Sequence, residues 1–129
     1  MSVVERVLSP RAPAPIGPYS QASRAGGLVF VSGQLGVDSA TGRLVEGLEA
    51  QAEQAMRNLG AVLEASGSSW AGVVKTTIYL TDMSGFSVVN GVYSRYFPPE
   101  AGFPARATVG VASLPAGALV EVEAVAAVP

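Results

Sequence analysis

The sequence predicts an α+β fold in which a mixed sheet carries two helices on one of its faces. Three observations predict it. Two segments repeat apolar residues at steps of three and four, the spacing of an amphipathic helix. Four further segments run apolar or alternate as strands do. Their order along the chain is a strand-rich run, a helix, a strand, a helix and two strands. No internal repeat, low-complexity tract or linker interrupts this order, so residues 1–129 read as one domain.

The elements follow in turn. Arg11–Pro18 holds three prolines and a glycine and reads as an extended arm, since proline fixes φ and removes a donor. Gly26-Gly27 opens the apolar run Leu28–Gln34, read as a strand, and Asp38–Gly42 has the residues of a turn. Leu48, Ala52, Ala55, Leu59 and Val62 draw one stripe along a helix from Leu48 to Ala65, with Glu53 and Arg57 paired at i,i+4. Gly67 stops that helix. Gly60 inside it costs about 1 kcal/mol against Ala and so signals close packing on a neighbour.

Val73–Thr81 alternates. Val74, Thr76, Ile78 and Leu80 are assigned to one face, Val73, Lys75, Thr77 and Tyr79 to the other. A second helix spans Phe86–Phe97, with Phe86, Val89, Tyr93 and Tyr96 inward, and Pro98-Pro99 ends it. Two strands, Ala105–Val111 and Leu119–Val128, join around Leu114–Gly117.

Composition limits the chemistry. Apolar residues are 49% of the chain and charged residues only 14%, against roughly 25% charged in an ordinary soluble domain. Two helices cover one face of a sheet, so the other is expected to meet a second copy of the chain. Net charge is −2, with Lys75 the one lysine and seven scattered arginines, which offers no basic stripe to nucleic acid. Without Cys or His there is no thiol nucleophile, His-based triad or Cys/His metal site. Acid–base chemistry falls to carboxylates, Tyr, Lys75, backbone groups or water. The longest apolar run, Ala124–Val128, is far short of a bilayer span, and the N-terminus reads as no secretory signal, so a cytoplasmic protein without membrane partners is expected.

Five features have residue types suited to a site. On the last strand Glu121 and Glu123 share one side while Ala118, Val120, Val122, Ala124 and Ala126 make the other wholly apolar. Either the two carboxylates face solvent, or one lies in a cleft as base or water holder. Arg106 is either a surface or contact arginine or a fork for a carboxylate. Tyr19 after the rigid arm could wall a pocket, Ser32-Gly33 could offer a hydroxyl and close backbone approach, and Asn90 is polar within an apolar helical pattern. Each also has an ordinary packing or turn explanation.

In combination, Ile16-Gly17-Pro18-Tyr19-Ser20-Gln21, Val31-Ser32-Gly33-Gln34, Val74-Lys75-Thr76-Thr77, Asn90, Phe103-Pro104-Ala105-Arg106-Ala107-Thr108-Val109, Leu114-Pro115 and Val120-Glu121-Val122-Glu123-Ala124 closely resemble the reactive-intermediate deaminase family, RidA or YjgF. The resemblance runs from about residue 10 to 128. It implies a chorismate-mutase-like fold and a homotrimer with a central β-barrel and sites between subunits. It also implies hydrolysis of 2-imino acids or their enamine tautomers to 2-oxo acids and ammonia, with no cofactor and no metal. By position Arg106 is similar to the residue binding the substrate carboxylate, and Glu121 to the water-orienting acid, with Glu123 as fallback. Tyr19, Ser32, Gly33 and Asn90 match pocket positions, and the backbone of Thr108 would position water or the imine nitrogen. Thr108 stands where the family often has Cys, which could alter the preferred substrate size. Lys75 matches no catalytic position. The alternatives are a hydrolase of another small substrate, such as a carbamate or aminoacrylate, and a non-enzymatic trimer that binds small carboxylates.

Overall fold

A computed structural model describes residues 3–129. Its elements are β1 (Glu5–Val7), β2 (Ala22–Ala25), β3 (Leu28–Leu35), α1 (Leu48–Ala65), β4 (Val73–Leu80), α2 (Phe86–Ser94), β5 (Ala105–Gly110) and β6 (Val120–Ala127), with short 3₁₀ turns at Trp70–Gly72, Met83–Gly85 and Pro115–Gly117. The six strands form one sheet in the order β1-β2-β3-β6-β4-β5. Among the described strands only β4 and β5 pair in parallel. Strand β6 is antiparallel to both β3 and β4 and so lies between two strands that run the same way. A parallel step needs a crossover connection, and the two crossovers carry α1 and α2. Both helices cover the same face, α1 packing on β3, β6 and α2.

The core lies between that helix layer and the sheet. Met56, Leu59, Val62 and Leu63 of α1 meet Val29 and Val31 of β3, Ile78 and Leu80 of β4, and Val120 and Val122 of β6, all buried. The apolar side read from the last strand is this one: Ala118, Val120, Val122, Ala124 and Ala126 are all buried. Gly60 sits where the sequence placed a close approach, since a Cβ there would stand 3.0 Å from the Trp70 ring. Asn58, buried on α1, donates to the Leu35 and Val37 carbonyls at 3.0 and 2.8 Å and pins the end of β3 to the helix.

The structure corrects the sequence reading in three places. Two strands, β1 and β2, were not foreseen. Gly26 and Gly27, with φ of 58° and 81°, form the two-residue turn of a β2–β3 hairpin rather than the start of a strand. In β4 a register shift between Val73 and Lys75 exchanges the first pair: Val73 is buried and Val74 is 49% exposed, while Thr76, Ile78 and Leu80 keep the inward face. Helix α2 ends at Ser94, not Phe97, because the Arg95 and Tyr96 amides turn back to the Val92 and Tyr93 carbonyls at 3.2 Å, tightening its last turn.

The face of the sheet away from the helices is left open. Phe30, Val74 and Val109 on β3, β4 and β5 are 49%, 49% and 42% exposed.

Candidate active site

On the helix side, β5 is the edge strand, and its residue Arg106 pairs in register with Thr76 of the inward face of β4. Thr108 follows on the same side, opposite Ile78. Beside them α2 presents Phe86, Asn90 and Tyr93, at i, i+4 and i+7 and so on one helix face. The Arg106 guanidinium carbon lies 5.5 Å from the Phe86 ring centroid and 5.0 Å from that of Tyr93. Tyr93 turns its hydroxyl away, to Thr76 Oγ1 at 2.6 Å, and burial pushes its phenol pKa up. A cavity of about 310 Å³ opens here, lined by Asn90, Tyr93, Ser94, Phe103, Pro104 and Arg106. Among the described residues the ion pairs are Arg11–Glu64, Arg57–Glu53 and Arg95–Glu53. Arg106 belongs to none of them, and among the described residues neither its guanidinium nor the Asn90 side-chain amide is engaged in a hydrogen bond.

On the open side, Glu121 and Glu123 of β6 stand opposite Tyr79 and Thr77 of β4. The two carboxylates are not equivalent. Tyr79 donates its phenol hydrogen to Glu123 Oε1 at 2.6 Å. Glu121 accepts no hydrogen bond within the described residues, and its pKa is pushed up by partial burial first and by the negative charge of Glu123 second. Its side chain lies across β3 at the bulge where Ser32 and Gly33 together occupy the step between Val31 and Gln34. A Cβ on Gly33 would fall 2.5 Å from Glu121 Oε2, so only glycine admits the carboxylate here. Ser32 donates its hydroxyl to the Ser20 carbonyl at 2.6 Å, which brings the residue after Tyr19 to the same bulge. Tyr19 is half exposed, and its hydroxyl lies 3.5 Å from the Ile16 amide.

The seven candidate residues therefore divide. Ser32, Gly33 and Glu121 meet at the bulge of β3, with Tyr19 one residue from the Ser20 carbonyl bound there, whereas Arg106 and Asn90 line the cavity beside α2 and Thr108 lies on the Arg106 side of β5 without lining it. Arg106 shares a face with Thr76, and Glu121 shares the opposite face with Tyr79. Lys75 stands exposed on the open face, away from the cavity.

A family model described as Endoribonuclease L-PSP matches residues 9–128. The chain belongs to the RidA/YjgF family. A goat protein named 2-iminobutanoate/2-iminopropanoate deaminase is 49% identical over 127 residues, covering 97% of this chain and 91% of its own. The crystal structure of RidA from the Antarctic bacterium Psychrobacter sp. is 44% identical, covers 96% of this chain and 99% of its own, and superposes with a TM-score of 0.92. E. coli TdcF with bound serine is 36% identical, covers 97% and 99%, and has a TM-score of 0.92.

Within this RidA/YjgF chain, sequence reasoning missed the parts played by Phe86, Tyr93 and Tyr79. From the sequence Phe86 and Tyr93 read as helix packing. Their spacing around Asn90 was the available signal, because i, i+4 and i+7 place ring, amide and ring on one stripe. Tyr79 could be found only from the pairing of β4 with β6, which the sequence does not state.

Proposed function

We propose that this RidA/YjgF chain is a cytoplasmic hydrolase of 2-imino acids such as 2-iminobutanoate and 2-iminopropanoate, working without cofactor or metal. One observation carries the reading: a guanidinium with no anionic partner among the described residues, set in a cavity beside an amide that they leave equally unengaged. A guanidinium matches a carboxylate by a two-pronged hydrogen bond, and an unpaired one has both prongs to give. Arg106 holds the substrate carboxylate and Asn90 and the backbone of Thr108 bind near the imine nitrogen. Glu121, the carboxylate that Tyr79 leaves free, orients a water and takes its proton as the oxygen bonds to the imine carbon. That proton passes to the nitrogen of the resulting carbinolamine, the C–N bond breaks with its electron pair leaving on ammonia, and Glu121 takes the remaining hydroxyl proton as the carbon becomes the 2-oxo group. The iminium is already electrophilic, so placement of the water supplies most of the acceleration required.

Arg106 and Glu121 face opposite sides of the sheet, and a substrate of four carbons cannot touch both from one chain. The site is therefore assembled between copies, Arg106 and Asn90 coming from one and Tyr19, Ser32, Gly33 and Glu121 from the next. A homotrimer in which the β5 edge of each copy, with its cavity, meets the open sheet face of the next satisfies this and covers exposed apolar residues such as Phe30. Cleavage of RNA, which the family description names, is disfavoured by a net charge of −2 and the lack of a basic surface for a phosphate backbone.

The test is a coupled assay. A threonine dehydratase generates 2-iminobutanoate in the presence of semicarbazide, and semicarbazone formation is followed with and without this protein. The wild-type protein lowers trapping, and Arg106→Ala, with its fold intact, does not. Undiminished activity in Arg106→Ala, or wild-type protein without effect on several amino-acid precursors, overturns the reading.

A further inference from the structure

We infer that Phe86 and Tyr93 are positioning residues, a pair of aromatic jaws that holds the Arg106 guanidinium in place without using any of its N–H groups. This rests on the carboxylate-binding role proposed for Arg106.

An arginine in a binding cavity has to be held in one orientation. Its long side chain has several rotatable bonds and must be restrained if it is to meet a small anion in one orientation. Restraint by an acidic residue would consume the N–H donors and neutralise the charge that the substrate is to meet. An aromatic face attracts the cation through the negative centre of its ring and leaves the edge donors free.

The geometry has this form. Phe86 and Tyr93 are seven residues apart on α2, two turns, and so about 10.5 Å apart along its axis. The guanidinium carbon is 5.5 Å from one ring and 5.0 Å from the other, both inside the range of about 6 Å for such attraction, which places it between them. Asn90 lies at the middle of the same stripe and lines the same cavity. The two jaws are built differently. Tyr93 is buried, bonded to Thr76 at 2.6 Å and packed on the Phe97 ring at 4.8 Å, so it is fixed to the sheet and core. Phe86 is 36% exposed at the first turn of α2 and can be changed with little loss to the core.

The variants are Phe86→Leu, which removes a ring, and Phe86→Tyr, which keeps one. Each is measured for KM and kcat on 2-iminobutanoate. The Arg106 side-chain resonances are followed by NMR during titration with 2-oxobutanoate. In the wild-type protein the Arg106 δ-methylene protons are displaced upfield by the ring currents. In Phe86→Leu that displacement falls, the 2-oxobutanoate Kd and the KM rise about two- to five-fold, and kcat holds. Phe86→Tyr recovers most of the change. Arg106 resonances at unperturbed positions in the wild type overturn the inference, as do unchanged Kd and KM in Phe86→Leu. If the wild-type protein hydrolyses no imine, the catalytic reading fails, while the ring-current shift and the 2-oxobutanoate titration still decide the jaws.

Discussion

Replacing Gly33 by Ala tests whether Glu121 needs the place it occupies. The added carbon would stand 2.5 Å from Glu121 Oε2, 2.6 Å from Cδ and 3.0 Å from Cγ, against 3.4 Å or more for ordinary contact. The carboxylate must then withdraw by about 1 Å, a misplacement that can cost on the order of 10²-fold in rate. Every close atom belongs to one flexible side chain, and no backbone is struck. The fold should therefore survive, with stability changed by no more than about 1 kcal/mol, since exchanging Gly for Ala in a strand gains a similar amount of backbone entropy. The expected result is a kcat on 2-iminobutanoate lowered about a hundredfold, with a nearly unchanged thermal midpoint. In a Glu121→Ala background the clash has no object, and the same substitution should cost nothing further. A kcat within about three-fold of wild type refutes the seating of Glu121, and an equal loss in the Glu121→Ala background shows that Gly33 acts on substrate directly.

Two further outcomes follow from the same structure. The charge of Glu123 is one of the two causes that raise the Glu121 pKa. A base works only when ionised, so Glu123→Gln should lower that pKa and move the acidic limb of the kcat/KM profile to lower pH; a limb that stays or moves upward contradicts it. Gly36→Ala should destabilise by about 1–3 kcal/mol in urea unfolding, because its Cβ would meet the Gln51 backbone at 2.5 and 2.6 Å, where nothing flexible can yield; a shift below about 0.5 kcal/mol would show that α1 and the end of β3 can separate.

Much of the fold was legible because its signals are local. Helix α1 begins and ends where its apolar stripe and Gly67 place it, at Leu48 and Ala65. The inward side of β6 followed from strict alternation. Strands β1 and β2 are only three and four residues long, too short for alternation to register, and the Gly26-Gly27 turn was the one signal for β2. Bulges were the second obstacle, since an extra residue changes which side the next one faces, as with Val73 and Val74. The candidate site was legible as a set of residues and illegible as an arrangement. The segment Ala105–Gly110 has no apolar alternation to declare which side meets the helices, so its sequence could not reveal that Arg106 and Glu121 face apart. Nor could it reveal that Tyr79 engages one of two equally placed glutamates.

The sheet works as a partition wall, with the Arg106 guanidinium in one room and the Glu121 carboxylate in the other. On the proposed assembly, each copy lends its helix-side room to one neighbour and its open room to the next. A copy altered at Arg106 alone spoils one cavity, a copy that fails to fold removes its share from two, and two differently damaged copies can still make one intact cavity where their sound rooms adjoin. On that assembly, inheritance of activity belongs to junctions rather than to chains, and dilution that separates the copies extinguishes catalysis.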